Sequence, residues 1–404
     1  MRKLTICGGG NAAHTLIALA GAGNWQVDVY APHGDEAQRL RDAQPAGDGL
    51  IARFADGRRV RGAARRVSGD PAEVIPGSQI ILLALPAFAH GATLSQIAAH
   101  LDDGAMIGVL PARSGFEYVA RDLFPSSKLP YTFFGLQTLP WACRIVTYGR
   151  EVDILGTKAV VDIASWPTGR APDLARQLRP LFDVDLRPVA SFLTLTLANT
   201  GQLIHPGIMY GLCAGCDDIT YEDGDAPLFY QGVDDRTAGL LQAMSDEVQA
   251  LASRLERHIP AFDAAEVVPL HQWLLRAYPQ DIGDGKTLRA AFNSNRAYAG
   301  LRLPVRRLHG SALAVDFSAR YLSEDVPYGL VVLRGIAQLA CVPTPVIDDV
   351  ITWAQDRLGH CYLRDGDLCG PDLVHTRAPQ AYGMNTISDL FDWDTPVRAA
   401  KESA

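Results

Sequence analysis

A glycine-rich stretch near the start of the chain has the spacing of a phosphate-binding turn. In "KLTICGGGNAAHTL", Gly8, Gly10 and Ala13 match G-x-G-x-x-[GA], after a strand-like run and before a helical one. The first glycine permits a tight turn, the second lets the backbone approach a pyrophosphate, and the small third residue lets helix and strand pack closely. The helix N-terminus faces the anion. We therefore predict dinucleotide contacts at Gly8, Gly10, Asn11 and Ala13; the alternative is a glycine-rich turn of an unrelated α/β domain.

The residues after the second predicted strand leave the choice between NAD and NADP open. NAD-binding proteins usually place Asp or Glu at the end of that strand, where it binds the ribose 2′-hydroxyl, and NADP-binding proteins offer an Arg nearby. Here Asp28 lies inside the strand, and Asp35 and Arg39 lie a few residues beyond its end. Pro86 and His90, in "LPAFAH" after a buried strand, are further predicted cofactor contacts, although His90 alternatively caps the next helix.

Two polar stretches in the second half of the chain could exchange protons and bind carboxylates. His205 stands in the mostly apolar "NTGQLIHPG", and an imidazole with a pKa of about 6.5 suits proton exchange near neutrality. The alternative is a core histidine with satisfied hydrogen bonds. In "ARYLSEDVPYG", Arg320 and Glu324 have the spacing of an ion pair on a helix surface. Alternatively, Arg320 binds a substrate carboxylate while an acid orients the histidine.

The cysteines indicate neither a metal site nor a disulfide framework. Cys213 and Cys216 form a C-x-x-C, but no second ligand pair at zinc spacing accompanies it, so we predict no metal. The total of seven cysteines is odd and irregularly spaced, which favours a reducing compartment. Without a signal-peptide pattern at the start, we predict a cytoplasmic location.

The elements that must position these residues fall into two halves of different pattern. Short apolar runs alternate with helical patterns up to about residue 190, as in "QVDVYA", "DEAQRLRDA", "SQIILLALPAF" and "AMIGVLP". This alternation predicts βαβ units and a parallel sheet. Later segments carry apolar residues every three to four positions, which predicts helices. We expect an α/β Rossmann domain with a parallel sheet over residues 1–188 and an all-α domain over residues 189–404.

Bulk composition favours small-molecule partners. The 404 residues are 48% hydrophobic and carry a formal net charge of −8, which argues against a nucleic-acid surface. No apolar run reaches the roughly 18 residues that a membrane-spanning helix needs. The oligomeric state is left open.

Several long, idiosyncratic runs together resemble the opine dehydrogenase family, and within it most closely the octopine dehydrogenases. They extend from the first strand to about residue 386 and include "CGGGNAAHTL", "LPARSGFEY", "QTLPWACRI", "LIHPGIMYG", "DAPLFYQGVD", "ARYLSEDVPYG" and "PQAYGMNT". The resemblance implies a Rossmann domain followed by a helical substrate domain. It also implies condensation of an L-amino acid with a 2-oxo acid, usually pyruvate, through an imine that NAD(P)H reduces to a secondary-amine dicarboxylate.

The resemblance assigns roles to individual residues. The family's catalytic histidine falls on His205, its acidic partner on Asp325 and its keto-acid-binding arginine on Arg320. Cys143 and Trp273 fall on positions that line the amino-acid side of the pocket. The resemblance favours NADH over NADPH.

One residue departs from the family pattern. Where octopine dehydrogenases have glutamine in the "LPARSGFE" loop, this chain has Arg113. If the loop faces the donor pocket, a fixed positive charge there disfavours a cationic amino donor and favours an acidic or neutral one. We therefore predict that arginine is a poor donor.

Two other functions remain compatible with the sequence. A hydroxyacid- or ketopantoate-type dehydrogenase also joins a Rossmann domain to a helical one, and it would act on a keto or hydroxy acid without an amine. A non-catalytic dinucleotide-binding sensor would bind the cofactor without turnover.

Overall fold

A computed structural model describes residues 2–43, 49–124, 130–215, 220–259, 262–308 and 312–391. Cys216 of the C-x-x-C lies outside these ranges. The chain divides into two compact units. Unit 1 comprises Met1–Ala112 and Leu123–Leu195, and unit 2 comprises Arg113–Asp122 and Thr196–Ala404. This division differs from a single boundary near Pro188 because a short segment of the first half belongs to unit 2.

The strands and helices alternate in the first half, and helices predominate in the second. The strands are β1 (Arg2–Cys7), β2 (Trp25–Tyr30), β3 (Leu50–Phe54), β4 (Arg59–Gly62), β5 (Arg66–Ser68), β6 (Ile80–Leu83), β7 (Met106–Val109), β8 (Thr132–Leu136), β9 (Trp141–Thr147), β10 (Glu151–Thr157), β11 (Val160–Trp166), β12 (Asp185–Pro188), β13 (Thr220–Tyr221), β14 (Val305–Arg307), β15 (Leu313–Val315), β16 (Leu363–Arg364) and β17 (Asp367–Leu368). The α-helices are α1 (Asn11–Ala22), α2 (Glu36–Ala43), α3 (Pro71–Val74), α4 (Ala87–Ile97), α5 (Phe116–Leu123), α6 (Ala171–Phe182), α7 (Phe192–Leu197), α8 (Gly201–Cys213), α9 (Asp235–Glu256), α10 (Leu270–Ala277), α11 (Leu288–Ser294), α12 (Arg320–Ser323), α13 (Val331–Ala340) and α14 (Pro345–Leu358).

Unit 1 is built on an eight-stranded sheet in the order β12-β11-β8-β7-β6-β1-β2-β5. Strand β6 is buried at all its positions, as expected for a strand covered on both faces. The predicted parallel α/β sheet is confirmed with one correction: β8 and β11 are antiparallel. Parallel neighbours need a long crossover, usually a helix, and the chain between β8 and β11 instead forms two strands of another sheet.

That second sheet, in the order β4-β3-β10-β9, was not predicted from the sequence. Helix α1 contacts strands of both sheets, and eight of its twelve residues are buried. His14 fixes the start of this helix. Its Nε2 accepts a hydrogen bond from the Gly149 N–H at 2.8 Å, and its Nδ1 donates to the Gly10 carbonyl at 3.0 Å.

Unit 2 is predominantly helical, as the apolar spacing predicts. Helices α8 and α9 pack against each other. At Gly207 and Gly211 of α8, a Cβ would lie only 2.6 Å from Leu241 and 2.3 Å from Thr237 of α9, so small residues are required. The close packing supports the helix that carries His205. The sheet β13-β15-β14 and the hairpin β16-β17 are small additions that the sequence did not predict.

Candidate active site

The imidazole of His205, on α8, is held by three side chains of unit 2. Its Nδ1 lies 2.8 Å from Asp325 Oδ2, and its Nε2 lies 2.9 Å from the Tyr230 hydroxyl. The ring of Tyr321 stacks on the imidazole with 4.4 Å between centroids. These contacts fix both the position and the orientation of the ring.

The ionised carboxylate of Asp325 determines which nitrogen of His205 carries the proton. Burial acts to raise the pKa of Asp325, but the charges of Arg113 and His205 outweigh it and hold the pKa below its ordinary value. An ionised Asp325 accepts the proton of Nδ1. In the neutral imidazole Nε2 then carries no proton, and it accepts a hydrogen bond from the Tyr230 hydroxyl.

Arg113 is a buried ion-pair partner in this structure. Only 11% of its side chain is exposed; it donates to Asp325, and its Nε lies 3.4 Å from Glu324 Oε1. Burial acts to lower the pKa of Arg113, but the two carboxylates raise it above its ordinary value. Its charge is therefore compensated, which removes the basis of the sequence argument that Arg113 acts as a free cation.

The loop that carries Arg113 is anchored within unit 2. Arg113 has a φ of 55°, a left-handed conformation that costs a non-glycine residue about 1 kcal/mol or more. The next residue, Ser114, donates its backbone N–H to the Tyr328 carbonyl at 3.1 Å. The Ser114 hydroxyl donates to Gln202 Oε1 at 2.5 Å and contacts the Thr196 carbonyl at 3.1 Å. These hydrogen bonds of Ser114 hold the left-handed backbone of Arg113 in place.

Arg320 forms the ion pair that its spacing predicts. Its Nε lies 2.6 Å from Glu324 Oε2, while 56% of the Arg320 side chain remains exposed. Glu324 is almost completely buried, so this is not an ordinary surface pair. We refer to the five residues of this arrangement as the His205 cluster: Arg113, His205, Arg320, Glu324 and Asp325.

The backbone after Asp325 is irregular. Val326–Leu330 forms a π-helical turn, inside which Tyr328 leaves the helical region at φ −109° and ψ 19°. Such turns are rare and occur frequently at functional sites. The turn joins α12 to α13, and Asp325 immediately precedes it.

Cys143 and Trp273, the other two predicted substrate residues, are both buried, and they belong to different units. Cys143 lies on β9 of unit 1, and burial raises the pKa of its thiol. Trp273 lies on α10 of unit 2, where its ring meets the Tyr278 ring edge-on at 6.3 Å. Their assignment to the amino-acid side of the pocket stays a prediction.

The glycine-rich turn joins β1 to α1 and fits a dinucleotide. Gly8 has a φ of 116°, and a Cβ there would lie 2.8 Å from the Ala84 carbonyl, so the chain itself requires glycine. A Cβ at Gly10 would meet nothing within 4 Å. Because Gly10 is the N-cap of α1, this open space lies before the helix N-terminus, where a pyrophosphate binds favourably.

The remaining predicted cofactor residues have structural contacts of their own. Asn11 Oδ1 accepts a backbone N–H of β9 at 2.8 Å, and Ala13 is fully buried. Pro86 is the N-cap of α4. His90 is fully buried within α4, with Nε2 3.1 Å from the Leu85 carbonyl, so its ring supports the start of that helix.

Sequence reasoning missed the two tyrosines that hold His205. Tyr230 reaches the imidazole from 25 residues away, and Tyr321 reaches it from α12. No periodicity connects such positions. The one signal for Tyr230 was its place in the family-like run "DAPLFYQGVD".

The described ranges contain neither a metal-binding group nor a membrane-crossing helix. No three or more His, Cys, Asp or Glu side chains converge there as metal ligands. None of the helices in these ranges combines the length and hydropathy that crossing a membrane requires.

Comparison with known proteins identifies the family. A family model described as "NAD/NADP octopine/nopaline dehydrogenase, alpha-helical domain" matches residues 188–358. An octopine dehydrogenase from Mizuhopecten yessoensis is 38% identical over 397 residues, which cover 96% of this chain and 98% of that protein. The chain belongs to the opine dehydrogenase family.

Solved structures of this family share the fold. Octopine dehydrogenase with NADH and L-arginine matches with a TM-score of 0.85 and 36% identity, over 96% of this chain and 98% of that one. The form with NADH and pyruvate matches at 0.84 over the same shares, also with 36% identity. The predicted family, the Rossmann domain and the helical second domain are confirmed. This opine dehydrogenase is an NAD(P)-dependent oxidoreductase that acts on CH–NH donors and condenses an amino acid with a 2-oxo acid.

Proposed function

We propose that this opine dehydrogenase joins pyruvate to an amino acid with a neutral side chain, prefers NADH, and uses His205 to move protons. The observation that carries the proposal is the Asp325–His205–Tyr230 arrangement, in which one imidazole nitrogen is fixed and the other can exchange protons. The related octopine dehydrogenase structures with NADH, one with pyruvate, support the oxo acid and the cofactor.

His205 serves the two steps that transfer protons: addition of the donor amine to the carbonyl carbon, and loss of water to form the imine. When the donor amine adds to the carbonyl carbon, the carbonyl oxygen must gain protons and leave as water to form the imine. Nε2 of His205 takes these protons from the donor nitrogen and delivers them to the departing oxygen, and Asp325 stabilises the imidazolium while it is charged. NADH supplies the hydride that reduces the imine carbon.

Arg320 is the proposed partner of the pyruvate carboxylate. A guanidinium has five N–H donors, and Glu324 engages only Nε and one terminal nitrogen. More than half of the Arg320 side chain is exposed, which leaves donors for a second carboxylate. Glu324 thus orients the guanidinium for two-point binding.

The charge of the His205 cluster favours a neutral donor. Its two guanidinium groups are matched by two carboxylates, so with a neutral imidazole the cluster has no net charge. A cationic or anionic donor side chain then gains no long-range attraction from it that could offset the cost of its own desolvation, a cost that a neutral side chain does not have.

The free cysteines support a reducing, cytoplasmic setting. Five cysteines within the described ranges are free thiols, and two of them, Cys341 and Cys369, are exposed; the other three are Cys7, Cys143 and Cys361. Secreted proteins usually pair such cysteines in disulfides.

The first test is cofactor oxidation with pyruvate and alanine, glutamate, taurine or arginine, with each substrate also supplied alone. We expect turnover only when pyruvate and an amine are both present, with alanine preferred to arginine and a secondary-amine product by mass spectrometry. His205→Gln should lower kcat by about a hundredfold or more. The exposed His258 provides the matched control His258→Gln, which should behave as wild type.

Two outcomes contradict the proposal. Oxidation with pyruvate alone, at the rate seen with the amine, would make the chain a hydroxyacid-type dehydrogenase. Cofactor binding without turnover on any pair, unaffected by His205→Gln, would make it a sensor.

A further inference from the structure

A carboxylate covers the glycine-rich turn of unit 1. Glu36 is the first residue of α2, the helix that follows β2. A Cβ placed at Gly9 would lie 2.5 Å from Glu36 Cδ and 2.7 Å from Glu36 Oε1. The carboxylate therefore occupies the space beside the middle residue of the turn, where a side chain at that position would otherwise lie.

The Glu36 carboxylate has no polar partner in the described ranges: it accepts no hydrogen bond, and no basic side chain lies at ion-pair distance from it. Arg39, one of the two basic residues whose charge acts on Glu36, is engaged elsewhere. Its guanidinium lies 3.8 Å from Asp35 and 4.3 Å from the centroid of the Tyr148 ring. Burial raises the pKa of the half-buried Glu36 carboxyl, while the charges of His33 and Arg39 oppose this shift. The carboxylate is thus partly desolvated, with acceptor capacity that the fold does not use.

Glu36 brings a carboxylate to the side of the glycine-rich turn, the region near which Rossmann domains bind the adenosine ribose. In Rossmann domains an acid near the turn binds the ribose 2′-hydroxyl, usually from the end of the second strand. Here β2 ends at Tyr30, and Ala31 and Pro32 follow, so that place holds no carboxylate. Glu36 brings one to the turn from the next helix instead.

We propose that Glu36 is the residue that selects NADH over NADPH in this chain. Its carboxylate accepts a hydrogen bond from the ribose 2′-hydroxyl, and it repels the 2′-phosphate that replaces this hydroxyl in NADPH. The inference rests on the proposed NADH preference and names the group responsible for it.

The test measures binding of the adenosine half alone, without catalysis. Calorimetric titration of the full chain with ADP-ribose and with 2′-phospho-ADP-ribose gives a ratio of dissociation constants. We expect wild type to bind ADP-ribose about a hundredfold more tightly, because like charges in contact strongly disfavour binding. Glu36→Gln should reduce this ratio at least tenfold. Asp42→Asn removes the same charge from an exposed position of the same helix and should keep the wild-type ratio.

Glu36→Asp distinguishes the effect of the negative charge from the effect of the length of the side chain. It keeps the negative charge but withdraws it from the turn, so ADP-ribose binding should weaken while the 2′-phospho ligand stays disfavoured. If Glu36→Gln keeps the wild-type ratio of dissociation constants, the role of Glu36 is overturned, but the NADH preference is not. Equal binding of both ligands by wild type would overturn the NADH preference itself. Circular dichroism of each variant verifies the fold.

Discussion

At the scale of single residues, the neighbours of Arg113 decide what its charge does. On the sequence alone, Arg113 is expected to be a fixed cation that repels a cationic donor. In the structure it is compensated by Asp325 and Glu324, so the proposed preference for neutral donors depends on the charge balance of the whole cluster. The sequence-based expectation for arginine is kept, but its physical reason changes.

Arg113→Gln tests this balance. The substitution leaves the His205 cluster with one excess negative charge, so arginine should gain relative to alanine. We expect the ratio of kcat/KM values, arginine over alanine, to rise about tenfold, while kcat with alanine falls because Asp325 loses a counter-ion. Steady-state kinetics with both donors measures the ratio. Arg236→Gln, at an exposed position of unit 2, is the matched control; an unchanged ratio in Arg113→Gln would show that charge does not govern donor choice.

The sequence predicted part of this cluster and missed the rest. His205, Arg320 and Asp325 were assigned roles because they stand in family-like runs, and those roles stay predictions. Tyr230 had no such assignment, because its contact with His205 depends on how α8 and a distant loop pack. Glu36 gives no such signal in the sequence, because a ribose-binding acid is expected at the end of β2 and Glu36 lies beyond it, at the start of α2.

At the scale of elements, α1 shows what local patterns can and cannot predict. The strand-turn-helix pattern predicted β1, the glycine-rich turn and α1 from adjacent residues. The second sheet beside α1 depends on pairings between distant segments; Arg53 of β3, for instance, binds Asp153 of β10, 100 residues away. Hydrophobic periodicity within one segment contains no information on such partners.

The buried His14 should make the stability of α1 depend on pH. Burial lowers its pKa to about 4, against the hydrogen bond to Gly10. Between about pH 4 and 6.5 the unfolded chain binds a proton at His14 that the folded chain does not, so the contribution of His14 to the free energy of unfolding rises with pH, by roughly 3 kcal/mol in total. His14→Gln removes this contribution, so in urea unfolding at pH 4.5 to 6.5 its free energy of unfolding should fall with pH relative to that of wild type. The exposed His33 gives the control His33→Gln, and an equal slope in all three proteins would contradict the prediction.

At the scale of the whole molecule, the two units respond to pH in opposite directions. In unit 2, burial raises the pKa of Glu117 to about 7, although Thr196 and Arg377 act to lower it. The folded chain keeps this proton up to about pH 7, whereas the unfolded chain loses it near pH 4.3. The stabilisation is complete below that lower value and is lost as pH rises from there to about 7, by roughly 4 kcal/mol.

Glu117→Gln should remove this loss. We expect the free energy of unfolding of the variant to rise between about pH 4.5 and 6.5, because His14 still acts in it, whereas in wild type the gain from His14 and the loss from Glu117 largely offset each other. Between about pH 6.5 and 7 only the Glu117 contribution continues to change, so wild type loses stability there and the variant does not. Urea unfolding followed by circular dichroism measures it, with Glu222→Gln as an exposed control in unit 2. A Glu117→Gln variant whose free energy of unfolding follows the wild-type curve at every pH would contradict the role of Glu117.

The Arg113–Asp122 segment has a consequence for how such proteins can recombine in evolution. It is encoded within the first half of the gene, yet it belongs to unit 2 and supplies a counter-ion of Asp325. A crossover near Pro188 between two diverged relatives would therefore give the His205 cluster of one parent the Arg113 segment of the other. Recombinant proteins should retain activity when both parents carry the same residue at position 113. They should lose activity when Arg113 from one parent is combined with the other cluster residues of a parent that has glutamine at this position.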